Sequence, residues 1–346
     1  MKNIVILGST GSVGTQTLEV IDRHRDVFNV YGLACGSNVD LLSKQVAKYK
    51  VAHTAVADPK EAMALVRDPA VDLVVFAMSH TADALSIFRT ALESGAQIAM
   101  ATKEVVIEYG PAVAEFVIGK GSQASEAQTS ATYTRCRQVI PLDSEMSATF
   151  QILQNAPART IKTLYLPCTG GPFYGRTRDE LQSVTVEQAL THPRWKMGRK
   201  ISIDSATLMN KAFEIIEAAY LFDLKPAQIK VFIEPEARIH SVVEFDDGSF
   251  VTHRDEPDMR RPIEYALLYP NGVASFAACL SYEKPVMPEP DYGVFPSPLL
   301  AYRALGASIS PRTLITEDSR AVQNFLDGKI SFLEIYKTIM RNLQET

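Results

Sequence analysis

NIVILGSTGSVGTQTLEVIDRH, residues 3 to 24, decides the fold. Asn3 to Leu7 form a short apolar run of the kind that parallel sheets bury on both faces. Gly8, Gly11 and Gly14 follow as GxxGxxG, and TQTLEVIDRH then shows the apolar spacing of a helix. Strand, glycine turn and helix in that order open a βαβ unit. Glycines in such a turn let backbone amides approach a pyrophosphate placed at the N-terminus of the following helix. The glycine pattern alone is a weak signal, and its place between a strand and a helix is what gives it meaning. Gly8, Ser9, Thr10, Gly11, Ser12 and Val13 are therefore candidate cofactor-binding residues.

Outward from this unit, VYGLACG, HTAVAD, LVVFAM and AQIAMAT have strand character. They are separated by the helical stretches NVDLLSKQVAKY, PKEAMALVRD and TADALSIFRTALESG. Alternating strands and helices predict an α/β fold with a parallel, doubly wound Rossmann-type sheet. The second strand ends at Cys35-Gly36-Ser37-Asn38, with no carboxylate to grip a ribose 2'-hydroxyl, which favours NADP over NAD. It offers no Arg or Lys for a 2'-phosphate either. Gly36, Ser37 and Asn38 join the cofactor candidates.

From Gly119 to Arg137 the chain turns polar and patternless, and this stretch is expected to be a surface excursion. Beyond Thr160, IKTLYLP, KVFIEP, IHSVVEF and SFVTHR look like strands. A helix is expected from about Ser205 through AFEIIEAAYLF, which makes the second half an α+β domain. The tail, with SRAVQNFLDG and FLEIYKTIMRNL, is helical.

The chain has 346 residues, 46% of them apolar, enough for two domains with real cores. A net charge of -5 and scattered Lys and Arg give no basic surface for nucleic acid. Cys35, Cys136, Cys168 and Cys279 lie far apart with no CxxC pair, so neither a disulfide framework nor a zinc cluster is expected. The N-terminus enters a strand at once, without the features of a signal peptide, and no apolar run approaches the roughly 20 residues of a membrane span. A cytoplasmic protein with no membrane partner is expected.

Three segments carry candidate chemistry. In PLDSE, residues 141 to 145, strand alternation would point Asp143 and Glu145 to one side, as suits a hard cation such as Mg2+ or Mn2+. An acid/base pair and a solvated polar turn are the alternatives. SATLMNKAFEIIEA supplies Glu214 together with Ser205, Asn210 and Lys211, a set able to hold a phosphate, though a capped amphipathic helix would also explain it. THPRWKMGRK sets Trp195, the only tryptophan, in a charged loop, either as a lid over substrate or as an apolar anchor.

Together LGSTGSVGTQTLEV, ATKE (101 to 104), PLDSE, TGGPF (169 to 173), HPRWKMGRKISIDSATLMNKAFEIIEA (from His192), IHSVV (239 to 243) and EPDMRRPI (from Glu256) resemble the 1-deoxy-D-xylulose 5-phosphate reductoisomerases. The resemblance implies a dinucleotide-binding domain over 1–140, a catalytic and metal-binding domain over 141–285, and a shortened C-terminal helical region over 286–346. It implies NADPH, Mn2+ or Mg2+, a sugar-phosphate substrate and a homodimer. By motif match, Asp143, Glu145 and Glu214 would be the metal ligands, and Thr169, Ser205, Asn210 and Lys211 the phosphate pocket. Ser144, His192, Trp195 and His240 would meet substrate, and Lys103, Glu104 and Met197 cofactor. Lys103, Glu145 and His192 would have catalytic roles.

The chain departs from the family at several places. Met146 stands where the family has His, Thr169 where it has Ser, Ser37 where a basic residue is common, and Ala77 to Ala82 where a glycine-containing loop is usual. Thr316-Glu-Asp-Ser-Arg320 replaces an Asn- and Glu-containing segment, and the 119–137 stretch is extra. Two alternatives follow from these departures: a paralogue acting on a related five-carbon ketose phosphate, and an inactive NADPH- or sugar-phosphate-binding homologue.

Overall fold

The protein is described by a computed structural model, covering residues 1–79, 82–118, 138–156, 159–191 and 198–344. The 119–137 excursion lies outside the described residues. The chain forms two compact units, Met1–Ala158 with Asp258–Ala278, and Arg159–Pro257 with Cys279–Thr346.

The first unit is built on β1 (Lys2–Leu7), β2 (Phe28–Cys35), β3 (His53–Val56), β4 (Leu73–Phe76), β5 (Gln97–Met100) and β6 (Val139–Pro141). All are parallel, in the order β3-β2-β1-β4-β5-β6. This is the doubly wound arrangement that the opening stretch predicts, with its switch point between β1 and β4. Ile4, Val5 and Ile6 are fully buried, as are all four residues of β4, which explains their unbroken apolar runs. The strands alternate with α1 (Ser12–Arg23), α2 (Val39–Tyr49), α3 (Pro59–Arg67), α4 (Ala84–Ser94), α5 (Lys103–Tyr109) and α6 (Ala114–Ile118), and α7 (Ser144–Asn155) follows β6. Local chemistry sets the starts of two of these helices. Asn38 caps α2 by accepting from the Leu41 amide at 3.2 Å, and Asp58 caps α3 ahead of Pro59.

This unit is not one continuous span. The helix Arg260–Leu268 returns to it: His24 Nε2 lies 2.7 Å from Glu264, the Lys2 ammonium donates to the Leu267 and Tyr269 carbonyls at 3.0 and 2.6 Å, and Tyr265 meets the Phe150 ring edge-on. The chain therefore leaves and re-enters the first unit, which three consecutive spans would not have anticipated.

The second unit has a mixed sheet of β7 (Ile161–Cys168), β8 (Ile229–Ile233), β9 (Ile239–Phe245), β10 (Phe250–Arg254) and β11 (Leu280–Ser281), in the order β11-β10-β9-β7-β8. Only β7 and β8 pair in parallel; the other pairs are antiparallel. Its helices are α8 (Val186–Ala189), α9 (Arg199–Ala206) and α10 (Met209–Phe222). After the helix already described, α11, come α12 (Pro298–Leu305), α13 (Pro311–Leu326) and α14 (Phe332–Gln344). α10 is buried along almost its whole length and packs on α12, while α13 packs on α9 and α14. The single helix expected around Ser205 is two helices. Leu208 adopts the left-handed conformation (φ 59°) and turns the chain between α9 and α10. Among the described residues, no helix is long and apolar enough to cross a membrane.

Candidate active site

In the first unit, a cavity of about 450 Å3 opens at the carboxyl ends of β1, β2 and β4. That is where doubly wound sheets take their ligands, and the volume falls in the range of small-molecule sites. Gly8, Thr10, Gly11, Gly36, Ser37 and Asn38 all line it. A Cβ on Gly8 (φ 86°) would lie 2.2 Å from the Ala77 carbonyl oxygen, and one on Gly14 would lie 2.3 Å from the Gly8 carbonyl oxygen. The glycines are therefore what let strand, loop and helix pack this tightly. Gly11 heads α1 without any side-chain cap, so the amides of the first turn, including those of Ser12 and Val13, have no side-chain acceptor there. Uncapped amides at a helix N-terminus are the groups that can take a pyrophosphate. Ser9 is turned inward: it is fully buried, and its hydroxyl donates to Gln45 Oε1 at 2.8 Å while Gln45 Nε2 donates to the Ser9 carbonyl. Sequence reasoning missed Gln45, a polar residue at a core position of a helix that otherwise looks amphipathic. Cys35 also lines the cavity, and burial raises its thiol pKa.

β5 and β6 lie side by side, with Met100 opposite Pro141, so the segments leaving their carboxyl ends meet. Lys103, the first residue of α5, is buried and ion-paired with Asp143. Glu104 sits beside it in the same first turn. Asp143 and Glu145 do not share a strand: β6 ends at Pro141, Asp143 is the N-cap residue of α7, and Glu145 lies in its first turn, where the helix dipole favours carboxylates. The expected strand alternation is corrected to a helix start, a distinction that the short VIP run conceals. The Ser144 hydroxyl donates to Glu145 Oε2. Met146, which follows, is fully buried.

In the second unit, Thr169 leaves β7 and its Oγ1 accepts from the Gly171 amide at 3.2 Å. Gly171 (φ 70°) lies so close to α9 that a Cβ there would be 2.7 Å from the Ser205 carbonyl oxygen. Gly171, two residues after Thr169, thus brings this loop up against the Ser205 backbone. On α10, Asn210, Lys211 and Glu214 share one face at helical spacing. Asn210 Nδ2 donates to Glu214 Oε1 and the Lys211 ammonium to Glu214 Oε2, with Lys211 and Glu214 both buried. The buried Lys211 ammonium is thus paired with a carboxylate, as a buried charge requires, with the Asn210 amide on the same carboxylate. His240 on β9 is buried, with Nε2 3.3 Å from the Asp255 carbonyl and its ring edge-on to His253 at 5.9 Å. His253 was not singled out from sequence, since one histidine in a strand carries no signal. His192, Trp195 and Met197 lie outside the described residues.

The chain is similar to known proteins along its whole length. A family model described as 1-deoxy-D-xylulose 5-phosphate reductoisomerase matches residues 4–70. Models of that enzyme's C-terminal domain match residues 139–222 and 255–346. The chain is 39% identical to the 1-deoxy-D-xylulose 5-phosphate reductoisomerase of Thermoanaerobacter pseudethanolicus, covering 100% of this chain and 92% of that one. To the enzyme of Thermodesulfovibrio yellowstonii it is 38% identical, covering 99% and 91%. Among solved structures, a DOX-P reductoisomerase in complex with NADPH, fosmidomycin and magnesium is similar at TM-score 0.76 and 31% identity, covering 99% of this chain and 89% of that one. The Zymomonas mobilis enzyme in complex with NADPH is similar at TM-score 0.78 and 27% identity, covering 100% and 92%. With the doubly wound sheet, the glycine loop and the lysine- and carboxylate-bearing segments accounted for along its length, the chain belongs to the 1-deoxy-D-xylulose 5-phosphate reductoisomerase family.

Proposed function

We propose that the protein converts 1-deoxy-D-xylulose 5-phosphate to 2-C-methyl-D-erythritol 4-phosphate in isoprenoid biosynthesis, as a homodimer, with NADPH as reductant and Mg2+ or Mn2+ as cofactor. Membership of the family over the whole chain carries this reading. In it, Thr169, Ser205, Asn210 and Lys211 hold the substrate phosphate. Asp143, Glu145 and Glu214 hold the divalent cation, a donor set of three carboxylates that suits a hard ion. Held there, the ion would supply Lewis-acid polarisation of the ketone and its neighbouring hydroxyl, and NADPH would supply the hydride. Lys103 is the ion-pair partner of Asp143. Ser144 orients the Glu145 carboxylate through its hydroxyl. His240, fixed by the Asp255 carbonyl, lines the sugar.

The alternative of a related ketose phosphate draws on Met146. That side chain is fully buried and apolar, so it packs rather than offering a substrate a polar group. The pathway substrate is therefore preferred. A coupled test compares NADPH oxidation with 1-deoxy-D-xylulose 5-phosphate and with other five-carbon ketose phosphates; faster turnover of one of the latter would reverse the choice.

At the cofactor end, the described lining includes Asp58 and Asp83 and no Lys or Arg. The 2'-phosphate of NADPH then meets the Ser37 hydroxyl and the first turn of α2 rather than a cation. Ser37→Asp puts a carboxylate against that phosphate, and affinity for NADPH is expected to fall on the order of tenfold or more relative to NADH. Fluorescence titration of the two reduced nucleotides measures it; an unchanged ratio would move the 2'-phosphate elsewhere.

A further inference from the structure

α9 has only eight residues, too few to hold a helical conformation or a position on its own, so its placement comes from tertiary ties. Among the described residues, Lys200 makes several of these ties. The Lys200 ammonium, in the first turn of α9, donates to Asp204 Oδ2 one turn on and to Asp318 Oδ2 of α13, each at 2.6 Å. It also lies 5.2 Å from the centre of the Phe213 ring of α10, within cation–π range. Asp318 and Phe213 are buried, as is Asp204. The two carboxylates outweigh the effect of burial and hold the Lys200 pKa above its ordinary value. Lys200 therefore ties together α9, which carries Ser205; α10, which carries Asn210, Lys211 and Glu214; and α13. Asp318 falls within Thr316 to Arg320, a stretch in which the chain departs from its family.

We propose that Lys200 and Asp318 are positioning residues for the phosphate pocket, through which the C-terminal helices set where Ser205 and the start of α10 stand. Neither touches substrate. Lys200 fixes α9 through Asp204 and Asp318, and the short left-handed turn after Ala206 passes any displacement of α9 on to Asn210 and Lys211. The proposal rests on Ser205, Asn210 and Lys211 forming that pocket.

The test uses the full chain, with Asp318→Ala and Asp318→Asn. In the alanine variant Lys200 keeps Asp204, so the fold is expected to persist, while α9 loses this ion pair to α13. Affinity for inorganic phosphate, read by calorimetry, should fall about tenfold, and KM for the sugar phosphate should rise by a similar factor with kcat changed less than threefold; displacements near 1 Å are enough for effects of this size. Asparagine keeps an acceptor for Lys200 and should restore phosphate affinity to within about threefold of wild type. NADPH affinity should not move. A lowered unfolding temperature in the alanine variant with phosphate affinity and KM unchanged would overturn the proposal, because a purely structural role predicts that result. If the alanine variant does not fold, Asp318→Ser is read by the same criteria. Wild-type protein that binds no phosphate and turns over no sugar phosphate would instead overturn the pocket reading itself, and this inference with it.

Discussion

Glu214→Gln is expected to lower kcat/KM by about a thousandfold while leaving NADPH binding intact. Glutamine keeps the volume of the side chain and can still accept from Asn210, so packing around α10 survives. The charge is lost, and with it one of three carboxylates proposed to hold the dication. Stabilisation of a developing oxyanion by a bound metal is worth several kcal/mol, and each ~1.4 kcal/mol is tenfold in rate. The same substitution removes the carboxylate that accepts from the buried Lys211 ammonium. Breaking such a buried pair typically costs about 3 kcal/mol, so the unfolding temperature should fall as well. Kinetics across a range of Mg2+ concentrations and thermal unfolding of both proteins check the two halves. Activity within tenfold of wild type at every Mg2+ concentration would remove Glu214 from the metal site.

Gly8→Ala should abolish dinucleotide binding. The added methyl would stand 2.2 Å from a backbone oxygen, which no side-chain rotation can relieve, at a φ of 86° that alanine rarely adopts. The left-handed backbone costs roughly 1 to 2 kcal/mol and the overlap about 1 to 3 more. The loop must therefore shift away from β4, carrying with it the amides at the head of α1. Titration with NADPH and chemical unfolding measure the two effects. Binding within a few-fold of wild type would show that the glycine turn does not cradle the cofactor.

How much of this was legible beforehand depends on how local each signal is. The run Asn3 to Leu7 followed by three spaced glycines specified the parallel sheet, because strand, turn and helix each left a local mark. The break between α9 and α10 was invisible, because it rests on a left-handed Leu208, a residue with no turn signature. Asp143 and Glu145 stand out as a pair but look like part of a strand, since the three residues of β6 are too few to show where extended backbone stops. Gln45 and Asp318 were missed as tertiary partners for a common reason: a polar residue on a helix looks like a solvated face until its distant partner is known. The return of α11 to the first unit likewise depends on packing against Phe150 and Lys2, which no local pattern encodes.

The proposed activity is the reduction and rearrangement of 1-deoxy-D-xylulose 5-phosphate. The most direct measurement follows absorbance of the reduced nicotinamide in purified protein with that substrate, NADPH and Mg2+, and identifies the product by carbon NMR. The expected result is substrate-dependent oxidation of NADPH, one for each branched 2-C-methyl-D-erythritol 4-phosphate formed, abolished by a chelator and restored by Mg2+ or Mn2+. Protein that binds NADPH but oxidises none of it with this substrate at any metal concentration would contradict the account.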